Sequence, residues 1–154
     1  MTKDPNDMLA LTVDKFIFRF PRGLHYSEAG MWIKQEGSLL RMGMSDFSQQ
    51  RNGDIAFATL APAGTLLEVG DEIGSIETVK VNMSLPSPVK GIIVEVNSQL
   101  QESPELINQD PYGKGWLVVL KPENLAQDLG RLLAAEAYCN LAKQQAEAEM
   151  KSWP

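Results

Sequence analysis

Apolar and polar side chains alternate along most of the chain in short runs, the period of strands that bury one face. Residues 16–20 form such a run, ended by Pro21. Residues 25–26, 31–34 and 38–43 continue it, with Glu36 and Gly37 supplying a hairpin turn between the last two. Strand character returns at 54–60, closed by Pro62 and Gly64, and again at 72–78, 81–86, 90–96 and 115–121. Helical signals are fewer. Ser45 is an N-cap for a short helix ending at Gly53, and Ser103 opens a helical turn ahead of a tight turn at 110–113. Beyond Pro122 the period lengthens: Leu125, Leu129, Leu132, Leu133, Ala137 and Leu141 make one apolar stripe, which predicts a C-terminal helix lying on a sheet. The pattern therefore predicts a mainly β fold, a sandwich of antiparallel sheets or a flattened barrel with a short internal helix and a C-terminal helix. One domain is expected over residues 15–142, after a flexible segment 1–14 and before a polar tail 143–154.

One lysine stands out in this pattern. From Val79 onward, Val79, Val81, Met83 and Leu85 fall on one face, and Lys80, Asn82 and Ser84 on the other. The reversal between the two strands contains neither Gly nor Pro. Lys80 is thus expected to project into solvent from a backbone pinned by the valine face, a presentation suited to a modifying enzyme. Most surface lysines are only solubilising groups, so the case rests on what surrounds this one.

Composition narrows the chemistry. The chain has 154 residues, 44% hydrophobic and 22% charged, which fits one soluble globular domain. No apolar run is long enough to span a membrane, and the N-terminus lacks an apolar signal core, so the cytoplasm is the expected compartment. The net charge of −6 and the lack of any block of basic residues exclude nucleic acid, which needs clustered positive charge to displace counterions. An acidic surface can steer docking onto a basic partner. Cys139 is the sole cysteine and so offers neither a disulfide nor a thiolate cluster. His25 is the sole histidine, and its neighbours Ser27 and Glu28 do not form a triad with it. The methionines Met31, Met42, Met44 and Met83 lie at strand spacing, as core fillers do, and Trp116 is expected to pack. No catalytic constellation emerges, and an enzyme acting alone is not expected.

Residues 69–96 resemble the biotinyl/lipoyl attachment motif, in which two similar hairpin arms are related by a pseudo-two-fold axis. Gly74 and Gly91 stand at the mirror-related positions, where close strand crossings and positive φ would both exclude a Cβ. Biotin carriers usually flank their lysine with methionines, whereas Lys80 lies between Val79 and Val81, which favours lipoate. Glu77, three residues before the lysine, matches the lipoylated families, where it serves recognition by the attaching enzyme. Its plainer role is that of an exposed strand carboxylate keeping the hairpin soluble.

The resemblance widens with Trp32–Ile33, Gly43 to Phe47, Gly53 to Phe57, Glu77 to Lys80, Pro86 to Gly91, Glu95 to Asn97, Ser103 to Asn108 and Asp110 to Leu117. These segments, in this order and spacing, are similar to the H proteins of the glycine cleavage system over residues 24 to 138. The resemblance implies a biotinyl/lipoyl-type flattened barrel, of the hybrid or hammerhead kind, carrying lipoate as an amide on Lys80. It implies a carrier component with no catalysis of its own, charged by a lipoate ligase or lipoyl transferase. Its partners would then be glycine decarboxylase, aminomethyltransferase and dihydrolipoyl dehydrogenase, between which the aminomethyl group is shuttled. Some positions depart from the family pattern. Ala29, Gly30 and Met31 precede Trp32 in place of the usual His-Glu, residues 58–62 replace an acidic segment, and Val81 replaces the alanine that usually follows the lysine. Two alternatives accompany these departures. One is an H-like lipoate-binding protein carrying sulfur for a heterodisulfide-reductase-like complex; the other is an unlipoylated structural or regulatory relative.

Overall fold

The structure, a computed structural model, describes residues 7–151. It begins with a hairpin of β1 (Met8–Val13) and β2 (Phe16–Pro21), paired from Met8↔Pro21 to Val13↔Phe16. The turn between them places Asp14 at φ 56°, a left-handed conformation that a short polar side chain tolerates. The expectation of a flexible segment over 1–14 is corrected here: residues 8–13 are a strand, because Leu9, Leu11 and Val13 alternate onto an aromatic cluster. Residues 1–6 of that segment lie outside the described residues.

Next come β3 (His25–Tyr26), β4 (Met31–Glu36), β5 (Leu39–Met44) and α1 (Asp46–Asn52). Ser45 caps α1 as expected, its hydroxyl accepting from the Ser48 N–H at 3.1 Å, and Gly53 closes it at φ 84°. Then follow β6 (Ile55–Leu60), β7 (Leu66–Leu67), β8 (Glu72–Thr78), β9 (Asn82–Pro86), β10 (Gly91–Val96), a 3-10 turn (Ser98–Gln101), α2 (Leu106–Gln109) and β11 (Val118–Pro122). The chain ends on α3 (Leu125–Leu129) and α4 (Ala135–Lys151).

A six-stranded sheet runs β3-β4-β5-β11-β10-β7, and a three-stranded sheet runs β6-β8-β9; every pairing is antiparallel. The expected mainly β sandwich with few helices is what the chain forms. Period-2 alternation divides the interior into two clusters. On β4, Met31 and Ile33 join Leu40, Met42, Ile73, Ile76, Leu85 and Leu120, while Trp32 faces Phe18, Phe20, Tyr26, Phe47 and Tyr138. The methionines Met31, Met42 and Met44 are fully buried core, as their spacing predicts. Trp116 packs, half-buried, against the second cluster, with the Arg41 guanidinium 4.4 Å from its ring.

The C-terminal stripe is not one helix. α3 ends at Leu129, and Leu133 exchanges two backbone hydrogen bonds with Tyr26, at 2.8 and 2.7 Å. The sheet edge thus captures backbone that the apolar period assigned to a helix. The polar tail expected over 143–154 is also corrected, since α4 runs through Lys151 and buries Ala146 in the aromatic cluster. Residues 152–154 lie outside the described residues.

Candidate functional site

The hairpin of β8 and β9 pairs Gly74↔Leu85, Ser75↔Ser84, Ile76↔Met83 and Glu77↔Asn82, and reverses through Val79, Lys80 and Val81. The valines do not pin this reversal, contrary to expectation. Val79 is 98% exposed and Val81 40%, because the strands end before them and the alternation has no sheet to register against. Thr78, at 8% exposure, holds the turn instead. Its N–H donates to the Val81 carbonyl at 2.8 Å, and its hydroxyl oxygen accepts from the N–H groups of Lys80 and Val81, both at 3.1 Å. The hydroxyl also reaches the Val81 carbonyl at 3.3 Å. One short side chain thereby satisfies the polar backbone of a turn that has no glycine. Sequence reading passed over Thr78, although a Thr two residues before an exposed turn lysine carries the signal of such a motif.

Lys80 is exposed, and among the described residues no carboxylate pairs with it. Its stem leans over the end of α1: a methyl group added at Gly53 would lie 4.0 Å from Lys80 Cε. Gly53 is itself held in place by Asn108, whose amide donates to the Gly53 carbonyl at 3.0 Å and to Gln49 Oε1 at 2.9 Å. Glu77 is exposed at the end of β8, opposite Asn82 on one side and Phe57 on the other. The fold thus brings Glu77 and Lys80 to the same hairpin end.

Gly74 and Gly91 occupy comparable positions in the two sheets. A Cβ on Gly74 would meet the Thr59 carbonyl oxygen at 2.3 Å, and one on Gly91 the Lys121 carbonyl oxygen at 2.4 Å. Close strand approach requires both glycines; neither has a positive φ, so that half of the expectation does not apply. Between the arms, buried Ser87 donates its hydroxyl to the Val89 carbonyl at 2.7 Å, and its N–H bonds the Asp71 carbonyl at 2.7 Å.

The family model described as Glycine cleavage H-protein matches residues 24–145. The chain belongs to the glycine cleavage H-protein family. The glycine cleavage system H protein of Bacteroides fragilis is 45% identical over 119 residues, covering 77% of this chain and 94% of that protein. That of Carboxydothermus hydrogenoformans is 42% identical over 127 residues, covering 82% and 97%. The crystal structure of the H protein from Mycobacterium marinum superposes with a TM-score of 0.71 at 31% identity, covering 78% of this chain and 96% of that one. The hairpin of β1 and β2 precedes the matched residues, and the end of α4 follows them.

The aromatic cluster supplies the electrostatic signature of the domain. Burial pushes the Tyr138 hydroxyl up to about 12 and those of Tyr26 and Tyr112 higher still. Tyr138 shares a 2.8 Å hydrogen bond with the N-capping Ser45, which ties α4 to the start of α1. Cys139 lies half-buried on α4, its thiol pushed up by burial, and His25 sits half-buried in β3; neither lines the groove beside Lys80.

Proposed function

We propose that this H-protein family member is a lipoyl carrier of the glycine cleavage system, with Lys80 as the attachment point. The observation that carries the reading is an exposed, unpaired amine at the tip of a hairpin whose turn is closed by Thr78. These residues fit a covalent arm. Among the described residues the amine forms no ion pair, and the backbone beneath it is already hydrogen-bonded, so acylation breaks no salt bridge. Once joined as an amide, lipoate supplies a disulfide ring at the end of a long flexible chain. Acylation also removes the lysine's charge, taking the formal net charge one unit below −6.

The chain's own residues position rather than react. Thr78 sets the height of Lys80 above the sheet, and Glu77 offers an exposed carboxylate that a lipoate ligase or lipoyl transferase can read. Glycine decarboxylase, aminomethyltransferase and dihydrolipoyl dehydrogenase are the enzymes it would serve, in the cytoplasm; tethering raises the effective concentration of the carried group at each of their sites. The relatives named above favour this one-carbon role over a sulfur carrier.

Intact-mass analysis after incubation with a lipoate ligase, lipoate and ATP tests the assignment. A single lipoyl adduct mapping to Lys80 is expected, with none on Lys80→Arg and slower attachment on Glu77→Gln at unchanged stability. An unmodified Lys80 under these conditions would overturn it. Glycine-dependent aminomethyl transfer to the lipoylated protein, in a mixture with the three enzymes, then tests the pathway.

A further inference from the structure

The ribbon of β1 and β2 has two unlike edges. The Arg22 N–H donates to the Asp7 carbonyl at 3.1 Å, and with the register Met8↔Pro21 to Val13↔Phe16 this fixes where each backbone group points. Asp7, Leu9, Leu11 and Val13 bond across the ribbon, while Met8, Ala10 and Thr12 turn their N–H and C=O groups outward. By the same alternation β2 turns Ile17, Arg19 and Pro21 outward, and side chains of the domain meet them. The Gln50 amide donates to the Ile17 carbonyl at 3.0 Å, and the Arg19 N–H donates to Asp46 Oδ2 at 2.9 Å. The hydroxyls of Tyr112 and Tyr26 donate to the Arg19 and Pro21 carbonyls at 2.6 and 2.7 Å. On the β1 edge, among the described residues, no hydrogen bond reaches the backbone of Met8, Ala10 or Thr12.

Other strand edges are blunted. β3 and β7 are two residues long, β6 slips register between Ile55 and Phe57, and β9 closes on Pro86. β1 has none of these protections: Met8–Val13 runs in unbroken register without a charge or a proline. Its inner face, with Leu9, Leu11 and Val13, is taken up by the aromatic cluster, and its outer face carries Met8, 41% exposed, beside the small Ala10 and Thr12. The ribbon is also the part of an acidic chain without a negative excess. Asp7 and Asp14 are outnumbered by Lys15, Arg19 and Arg22, whereas the whole chain stands at −6. Two copies can meet here without the like-charge repulsion that the rest of the surface imposes.

We infer that β1 is a dimerisation edge, completed by a second copy of this chain in antiparallel pairing about a two-fold axis through Ala10. Such a contact needs a strand complementary to itself, and the outward groups of Met8, Ala10 and Thr12 are. Ala10 pairs with Ala10 of the second copy and Met8 with its Thr12, forming about six main-chain hydrogen bonds and joining the two ribbons into one sheet. The turn ends then point apart. Val13 and Phe16 line a groove with Lys80, so the two lysines lie toward opposite ends of the joined sheet. The contact is independent of what Lys80 carries.

Sedimentation equilibrium on the full-length, unmodified chain is the first test. The mass should rise from 17.0 kDa at about 10 μM toward twice that value at about 1 mM, as a small interface allows. Ala10→Pro removes an outward N–H and leaves the bonds to β2 in place, so melting should hold while dimerisation weakens at least about tenfold. Thr12→Lys, which sets a charge on the edge, should weaken it to a similar degree. Leu66→Lys, which removes a 77% exposed side chain from β7, should change it by less than about twofold. Amide hydrogen exchange locates the contact: Leu9, Leu11 and Val13 should be protected at every concentration, and Ala10 and Thr12 should gain about tenfold protection only in the dimer. A chain that stays at 17.0 kDa at about 1 mM overturns the inference and leaves the edge to a strand of another protein. A dimer that neither edge variant weakens, or whose Ala10 and Thr12 amides exchange as fast as in the monomer, overturns it too.

Discussion

At the scale of single residues, the turn under Lys80 depends on one hydroxyl. Thr78→Val keeps the side-chain shape but strands the N–H groups of Lys80 and Val81, which bond Thr78 Oγ1 at 3.1 Å. Loss of these bonds costs about 1–2 kcal/mol, measurable as a shift in the urea midpoint, while Thr78→Ser should retain most of the stability. The attaching enzyme should also slow on Thr78→Val, because a frayed tip no longer presents the amine at a fixed height. A lysine ligated equally fast in both variants would show that the turn geometry is immaterial. Lys80 and Glu77 could be read from alternation and from the resemblance. Thr78 could not, because its role appears only once the strands are known to end on either side of it.

At the scale of elements, the hairpin arms owe their closeness to two glycines. Gly74→Ala places a methyl group 2.3 Å from the Thr59 carbonyl oxygen, a backbone atom that cannot rotate away. β8 must then separate from β6, which costs about 3 kcal/mol and lowers the thermal midpoint by several degrees. A Gly74→Ala protein with unchanged melting would show that the sheet tolerates a wider crossing. The helical elements illustrate a different limit. The stripe from Leu125 to Leu141 is regular in sequence, yet Leu133 pairs with Tyr26 in a β-bridge and splits it into α3 and α4. Period counts side-chain faces only; it does not register a sheet edge with unpaired N–H and C=O groups waiting nearby.

Across the whole molecule, the aromatic cluster sets the response to alkali. Tyr26, Tyr112 and Tyr138 are all the tyrosines of the chain, and burial raises each of them, Tyr138 to about 12 and the other two further. A raised tyrosine pKa means that the folded state holds the proton more tightly than the unfolded one. Its contribution is fully present below the ordinary value near 10 and is lost as pH rises through the folded values. Tyrosinate absorbance and far-UV circular dichroism should therefore change together, in one transition above pH 10. Tyrosinate appearing near pH 10 with the fold intact would show that the cluster is open to water.

The sequence by itself determined the β class, the α1 boundaries at Ser45 and Gly53, the buried methionines, the H-protein resemblance and the candidate lysine. These follow from local rules: alternation, capping chemistry and residues of fixed spacing. Tertiary structure alone decided that residues 8–13 are a strand, that Thr78 rather than the valines closes the Lys80 turn, and that the two chain ends meet beside that lysine. Each of these depends on atoms brought together from distant parts of the chain, such as Phe16 with Met150 or Arg19 with Asp46 and Tyr112. Such contacts arise from packing three sheets and the helices around shared cores, and no local period encodes them.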